Sequence, residues 1–201
     1  MKIAILVEGK TEMAFRPHLR AFLVGRLADK MPRLILRKYD GRIPKDRKLR
    51  TTVENLLGGP DQADAVIALT DVYTGTNDFA DAADAKAKMR TWVGQNIRFH
   101  PHVALHDFEA WLLPYWSEIQ KLAKHNKNAP QGLPESVNHN RPPSYHIKEI
   151  FEVGKSRDSY IKVRDANRIL TKQDLSISAA ACPELKAFLN TILTLSGGQP
   201  L

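Results

Sequence analysis

Four acidic residues, Glu8, Asp71, Asp107 and Glu109, stand at or just past the ends of apolar runs. Ile3 to Val7 leads without alternation into Glu8, Ala63 to Thr70 into Asp71, and Phe99 to His106 into Asp107-Phe108-Glu109. Short continuous apolar runs read as strands buried on both faces of a parallel sheet. In such a sheet the carboxyl ends of neighbouring strands share one rim, which is where ligands bind. Carboxylates crowded on that rim repel each other, and a hard divalent cation, Mg²⁺ or Mn²⁺, is the usual remedy. A bound ion of this kind activates water and stabilises the leaving oxygen of a phosphodiester. Glu8, Asp71 and Glu109 are therefore the candidate catalytic residues, and Glu8, Asp71, Asp107 and Glu109 the candidate metal ligands.

Positive charge supplies the second half of that chemistry. The formal charge is +8 and the isoelectric point about 9.6, which points to a polyanionic partner. One concentration lies in Asp40 to Arg50 with Arg33, Arg37 and Lys38 nearby, and another includes Lys155, Arg157, Lys162, Arg164 and Arg168. Lys10, Arg42, Lys45, Arg47, Lys48, Lys155, Arg157 and Lys162 are the candidate contacts to a nucleic-acid backbone, with DNA placed ahead of RNA.

Other motifs weigh less. Gly9-Lys10-Thr11 looks like the end of a phosphate-binding loop, but that loop needs a glycine where Ala4 stands. His100, His102 and His106 share a strand face by parity, which suits a packed face better than zinc. Asp78, Asp81 and Asp84 lie where acids favour the positive end of a helix, and no chemistry is assigned to them. A single cysteine, Cys182, excludes an internal disulfide and suits a reducing cytoplasm. No stretch approaches the ~20 apolar residues of a membrane helix, and the first apolar run is too short for a signal peptide.

The elements that must position these residues follow from periodicity. At 201 residues the chain reads as a single domain, with a core over 1–124 and a loop and helical extension over 125–201 packed on it. Gly9 allows a tight turn, Thr11 is the expected N-cap, and Phe15, Leu19, Phe22, Leu23 and Leu27 form one helix face. A second strand spans Arg33 to Tyr39. A short helix with Leu49, Val53, Leu56 and Leu57 stops at Gly58-Gly59-Pro60. Val72 to Ala80 reads as a loop, and a helix over Asp81 to Ile97 turns Met89, Trp92, Val93 and Ile97 inward. A helix over Ala110 to Leu122, a long loop from His125 to Tyr145, a helix after Pro142-Pro143-Ser144 and a last helix from Pro183 to Leu195 complete the chain; Ser196 to Leu201 should fray.

Val7-Glu8-Gly9-Lys10-Thr11-Glu12, with an acid ending a later strand, resembles the Toprim fold shared by topoisomerases, bacterial primases and the overcoming-lysogenisation-defect nucleases. More closely, the chain resembles the Toprim-like domain-of-unknown-function family four-two-seven-six. The further matching positions are Asp71-Val72-Tyr73 with Gly75, His106-Asp107-Phe108-Glu109-Ala110, Pro142-Pro143-Ser144 and Cys182-Pro183. The resemblance implies an α/β, Toprim-like (Rossmann-like) fold: a mostly parallel central sheet flanked by helices, with a helical C-terminal extension. It also implies a magnesium site and a companion ATPase of the AAA or ABC type in bacterial defence systems. Glu8 would organise the metal or act as general acid/base, and Asp71 would ligate it. The chain departs from the pattern at Tyr73, where a second acid is expected, and at Tyr145 and His146, where the family has basic residues. The expected function is a metal-dependent nuclease. The alternatives are a degenerate module that binds nucleic acid or a partner ATPase without cleaving, and a small-molecule phosphotransferase or nucleotide-binding protein of flavodoxin-like form.

Overall fold

The computed structural model describes all residues except 73–77, 139–140 and 155–158. Four strands, β1 (Lys2–Val7), β2 (Arg33–Lys38), β3 (Ala65–Val72) and β4 (Phe99–Leu105), form one sheet in the order β2-β1-β3-β4, and every pairing is parallel. The helices are α1 (Lys10–Leu27), α2 (Asp46–Gly58), α3 (Ala82–Val93), α4 (Trp116–Ala123), α5 (Pro143–Val153), α6 (Lys162–Leu170), α7 (Leu175–Ala181) and α8 (Pro183–Leu195). Ile3 to Val7 are all buried, as expected of a central strand.

Alternate residues of β1 feed two apolar layers. Ala4 and Leu6 face a layer built with α2 and α3, around Leu49, Val53 and Met89. Ile3, Ile5 and Val7 face a larger layer that includes α1, the 3₁₀ helix Phe108–Tyr115 and the helices that follow it. Trp111 anchors the second layer: its ring centroid lies 6.0 Å from Phe188, nearly parallel, and 5.3 Å from Phe108, edge-on. Its indole N–H donates to Glu135 Oε1 at 3.0 Å, and the backbone N–H groups of Glu184 and Leu185 donate to the same carboxylate at 2.9 and 3.2 Å. Glu135 thus ties the long loop to the N-terminus of α8, a favourable place for a negative charge.

Several boundaries differ from the sequence expectation, each for a local reason. Gly9, not Thr11, occupies the N-cap of α1. α3 stops at Val93 because Gly94 turns left-handed (φ 77°), so Ile97 is 90% exposed rather than inward-facing. Helix starts at Phe108 as a 3₁₀ segment and becomes α-helical only at Trp116, after Pro114. The basic segment forms α6, and α7 follows it, where the sequence reading has no helix. The C-terminal tail is held: Gly198 N–H bonds Leu193 O at 2.9 Å and Leu201 N–H bonds Asn190 Oδ1 at 2.7 Å.

His102 of β4 supports packing. His102 Nε2 lies 2.9 Å from Thr191 Oγ1 of α8, with its ring edge-on to Phe188. Burial, aided by the charges of Lys86, His100 and Arg90, pushes its pKa down to about 3. The unfolded chain binds a proton here below about pH 6.5 and the native chain does not, so this contribution to stability is full above that pH and is lost as pH falls. The slope reaches at most about 1.4 kcal/mol per pH unit. Urea denaturation at about pH 7 and about pH 4 should show the stability difference between wild type and His102→Gln shifting against the wild type as pH falls.

Candidate functional site

The parallel register brings the strand-end acids to one rim. β1 and β3 pair through Leu6 and Ala68, so Glu8 leaves β1 alongside Thr70. The Thr70 hydroxyl donates to Glu8 Oε1, and the Asp71 backbone N–H donates to the same carboxylate. Burial is the main reason that the pKa of Glu8 rises to about 7, with the charge of Glu12 adding to it. Asp71, at the end of β3, is raised well above the usual carboxylate range, by burial first and then by the charges of Glu8, Glu12, Asp107 and Glu109. Five carboxylates therefore share one electrostatic neighbourhood.

β3 and β4 pair through Asp71 with Ala104 and Val72 with Leu105, and His106 N–H then bonds Val72 O at 2.9 Å. His106 adopts φ 67°, a left-handed turn that swings the chain from the strand into the 3₁₀ helix. Asp107, fully buried, precedes that helix. Its Oδ2 accepts the backbone N–H of Ser144 at 3.2 Å, while its Oδ1 is buried without a hydrogen-bond partner. The Pro-Pro-Ser sequence explains the contact. Pro142 caps α5, Pro143 takes its first position, where an N–H would be idle, and the N–H of Ser144 faces the acid.

Glu109 is also buried, and its Oε1 accepts from Lys162 Nζ at 3.1 Å and from the Tyr160 hydroxyl at 3.3 Å. Burial, then repulsion from Asp107, pushes its pKa up. Lys162 begins α6, whose entry is fixed by Asp165 Oδ2 accepting the Ile161 N–H at 2.8 Å. Asp107 and Asp71 also act on the Lys162 charge. Its ammonium is thus a tethered cation among the acids. Lys162→Met is expected to lower the melting temperature of the metal-free protein by a few degrees, roughly 2–4 °C per kcal/mol lost. It should also strengthen Mn²⁺ binding in calorimetry, since the competing charge is gone.

The structure brings Glu8, Asp71, Asp107 and Glu109 to the same rim. The expected backbone contacts are dispersed. Lys162 turns inward to Glu109, and Arg42 and Lys45 both pair with Asp78, Lys45 Nζ at 2.6 Å. Lys10, Arg47 and Lys48 are exposed, whereas Lys155 and Arg157, like Tyr73 and Gly75, lie outside the described residues. Glu12, Thr70, Ser144 and Tyr160 join the site without having been assigned a role in it. Two of them left a sequence signal: Glu12 sits one helical turn beyond Glu8, where it reads as an ordinary first-turn acid, and Ser144 closes the Pro142-Pro143-Ser144 match.

An all-oxygen donor set, crowded and with one buried carboxylate oxygen unpartnered, suits Mg²⁺ or Mn²⁺ in kind. The set is not preassembled. Among the described residues, no three His, Cys, Asp or Glu side chains converge closely enough to hold an ion, which also excludes the three histidines as a zinc site there. Glu8 and Glu109 are instead held by Thr70 and Lys162.

Residues 7–193 match the family described as a domain of unknown function, DUF4276. The chain belongs to that family. Among solved structures, the C-terminal region of the Burkholderia pseudomallei OLD protein is similar at a TM-score of 0.55 and 12% identity, over 97% of this chain and 98% of that one. The C-terminal region of the Xanthomonas campestris pv. campestris OLD protein is 13% identical over 97% and 96% of the two chains, at a TM-score of 0.49. No curated protein matches. The Burkholderia likeness shows a shared fold, so the Toprim-like α/β architecture implied by Val7 to Glu12 holds for the family member described above. No helix among the described residues is long and apolar enough to cross a membrane.

Proposed function

We propose that this chain is a metal-dependent Toprim-like nuclease that hydrolyses nucleic-acid phosphodiesters, with DNA placed ahead of RNA. The observation that carries the reading is the mutual electrostatic field of Glu8, Asp71, Asp107 and Glu109 on one edge of the sheet, which only a cation relieves without protonation. Asp71, Asp107 and Glu109 would hold Mg²⁺ or Mn²⁺, with Glu8 either organising the ion or serving as general acid or base. The ion, when bound, would supply positive charge to the phosphoryl oxygens and lower the pKa of its water. Thr70 orients Glu8, whose pKa of about 7 suits a general acid or base at neutral pH. Ser144 and Lys162 fix Asp107 and Glu109. The resemblance stated from sequence adds an ATPase of the AAA or ABC type as partner, in a bacterial defence system.

A plasmid-nicking assay with Mg²⁺ or Mn²⁺ tests the reading, with and without any ATPase encoded beside the gene. Cleavage lost in Glu8→Ala and Asp71→Asn supports it. No cleavage of DNA or RNA in either metal would falsify it. The dispersed donor set favours one second reading, a degenerate module that binds nucleic acid without cutting. Salt-dependent binding indifferent to chelator, without cleavage, would select that module.

A further inference from the structure

The two edges of the sheet are finished differently. β4, at one edge, bonds β3 through its even-numbered positions, since Val66 N–H donates to Arg98 O and His106 N–H to Val72 O. Its outward position at mid-strand is therefore Pro101, which has no N–H to offer, and α8 packs against the strand. β2, at the other edge, bonds β1 through its odd-numbered positions, from Arg33 N–H on Met1 O to Tyr39 N–H on Val7 O, both at 2.9 Å. The N–H and C=O groups of Leu34, Leu36 and Lys38 consequently point away from the sheet. No proline interrupts them, and no group among the described residues pairs with them.

Side chains complete this edge. Pairing with β1 puts Leu34 and Leu36 on the α1 face with Ile3 and Ile5, and Arg33, Ile35 and Arg37 on the α2 face with Ala4 and Leu6. Arg33 and Arg37 are exposed and form no ion pair among the described residues. Asp61, which feels both arginine charges, is bonded to Lys2, and Asp40 is bonded to Lys38 at 2.7 Å. An open edge is a template for another strand, and cations along it deter neutral or basic ones. A second copy is disfavoured by its own charge, because β2 against β2 sets two strands with three cations and no acid side by side.

We propose that the β2 edge receives an extended acidic segment of a partner protein, which adds a strand to the sheet. The main-chain groups of Leu34, Leu36 and Lys38 supply the ladder. Arg33, Ile35 and Arg37 select the side chains, an acid, an apolar residue and an acid at alternate positions of the incoming strand. The proposal stands apart from the nuclease reading, since none of these residues belongs to the rim of acids.

The probe is a fluorescein-labelled peptide, Thr-Glu-Thr-Val-Thr-Glu-Thr, titrated with the full chain and read by fluorescence anisotropy. Saturable binding is expected, and the same peptide with Lys for Glu should bind about tenfold more weakly or worse. The double variant Arg33→Glu, Arg37→Glu changes exposed side chains only and should reverse that preference. N-methylation then reads the ladder. Methyl groups on one alternate set of peptide nitrogens block the bonds to β2, whereas those on the other set point away from it. One methylated peptide should therefore lose binding and the other keep it within about threefold. Both are read on the unaltered protein, so the test survives misfolding of the arginine variant. No saturable binding below about 1 mM, equal binding of the Lys peptide, or equal loss from both methylated sets each overturns the proposal. So does displacement of the acidic peptide by oligothymidylate at about 0.15 M salt, which would assign the two arginines to a phosphate backbone.

Discussion

Asp71→Asn is expected to abolish divalent-cation-dependent cleavage, by at least about two orders of magnitude, the usual effect of removing one preorganised electrostatic group. The same change should raise the melting temperature of the metal-free protein. Asp71 stands in the repulsive field of Glu8, Glu12, Asp107 and Glu109, so a neutral amide of the same shape relieves strain that the acid creates. Added Mn²⁺ should raise the melting temperature of the wild type and do so much less in the variant, a binding effect read independently of activity. The pH dependence has a definite sign. Glu8 and Glu109 are raised from the ordinary 4.5 to about 7, chiefly by burial. Between those values the native chain keeps protons that the unfolded chain has lost. The cluster's contribution is therefore full below about pH 4.5 and is lost as pH rises through about 7. His102 acts in the opposite direction over the acid side of that window, so the metal-free protein should be most stable at intermediate pH.

Glu135→Ala is expected to destabilise the fold by about 2–4 kcal/mol. The carboxylate is buried, and its removal strands the Trp111 indole N–H and two backbone N–H groups of α8 where water cannot replace the acceptor. For a chain of this size that corresponds to a fall in melting temperature of roughly 4–16 °C. Glu135→Gln keeps one acceptor oxygen and should recover part of the loss. Thermal denaturation followed at the tryptophan signal checks both variants.

The sheet was legible because buried parallel strands write themselves as unbroken apolar runs. Ile3 to Val7, Ala63 to Thr70 and Phe99 to His106 each match an observed strand within about two residues. The strand order β2-β1-β3-β4 then places Glu8, Asp71 and Asp107 on adjoining strands. What sequence could not give is which cation answers which acid. Lys162 looks like any member of a basic run until α6 packs on α1 and turns its ammonium to Glu109. Asp78 looks like a helix-start acid, yet its partners Arg42 and Lys45 come from the segment before α2, 33 residues away in the case of Lys45. α6 itself was obscured because its apolar positions, Ala166, Ile169 and Leu170, are embedded among charges, and its buried Asp165 is paired with Arg164 and Arg168.

Glu8 is held from its own sheet by Thr70, whereas the groups that hold Asp107 and Glu109 reach in from 144, 160 and 162. A nascent polypeptide therefore exposes Asp107 and Glu109 well before the segment that holds them has been synthesised. Parallel pairing between distant segments also forms late, because long loops must close first.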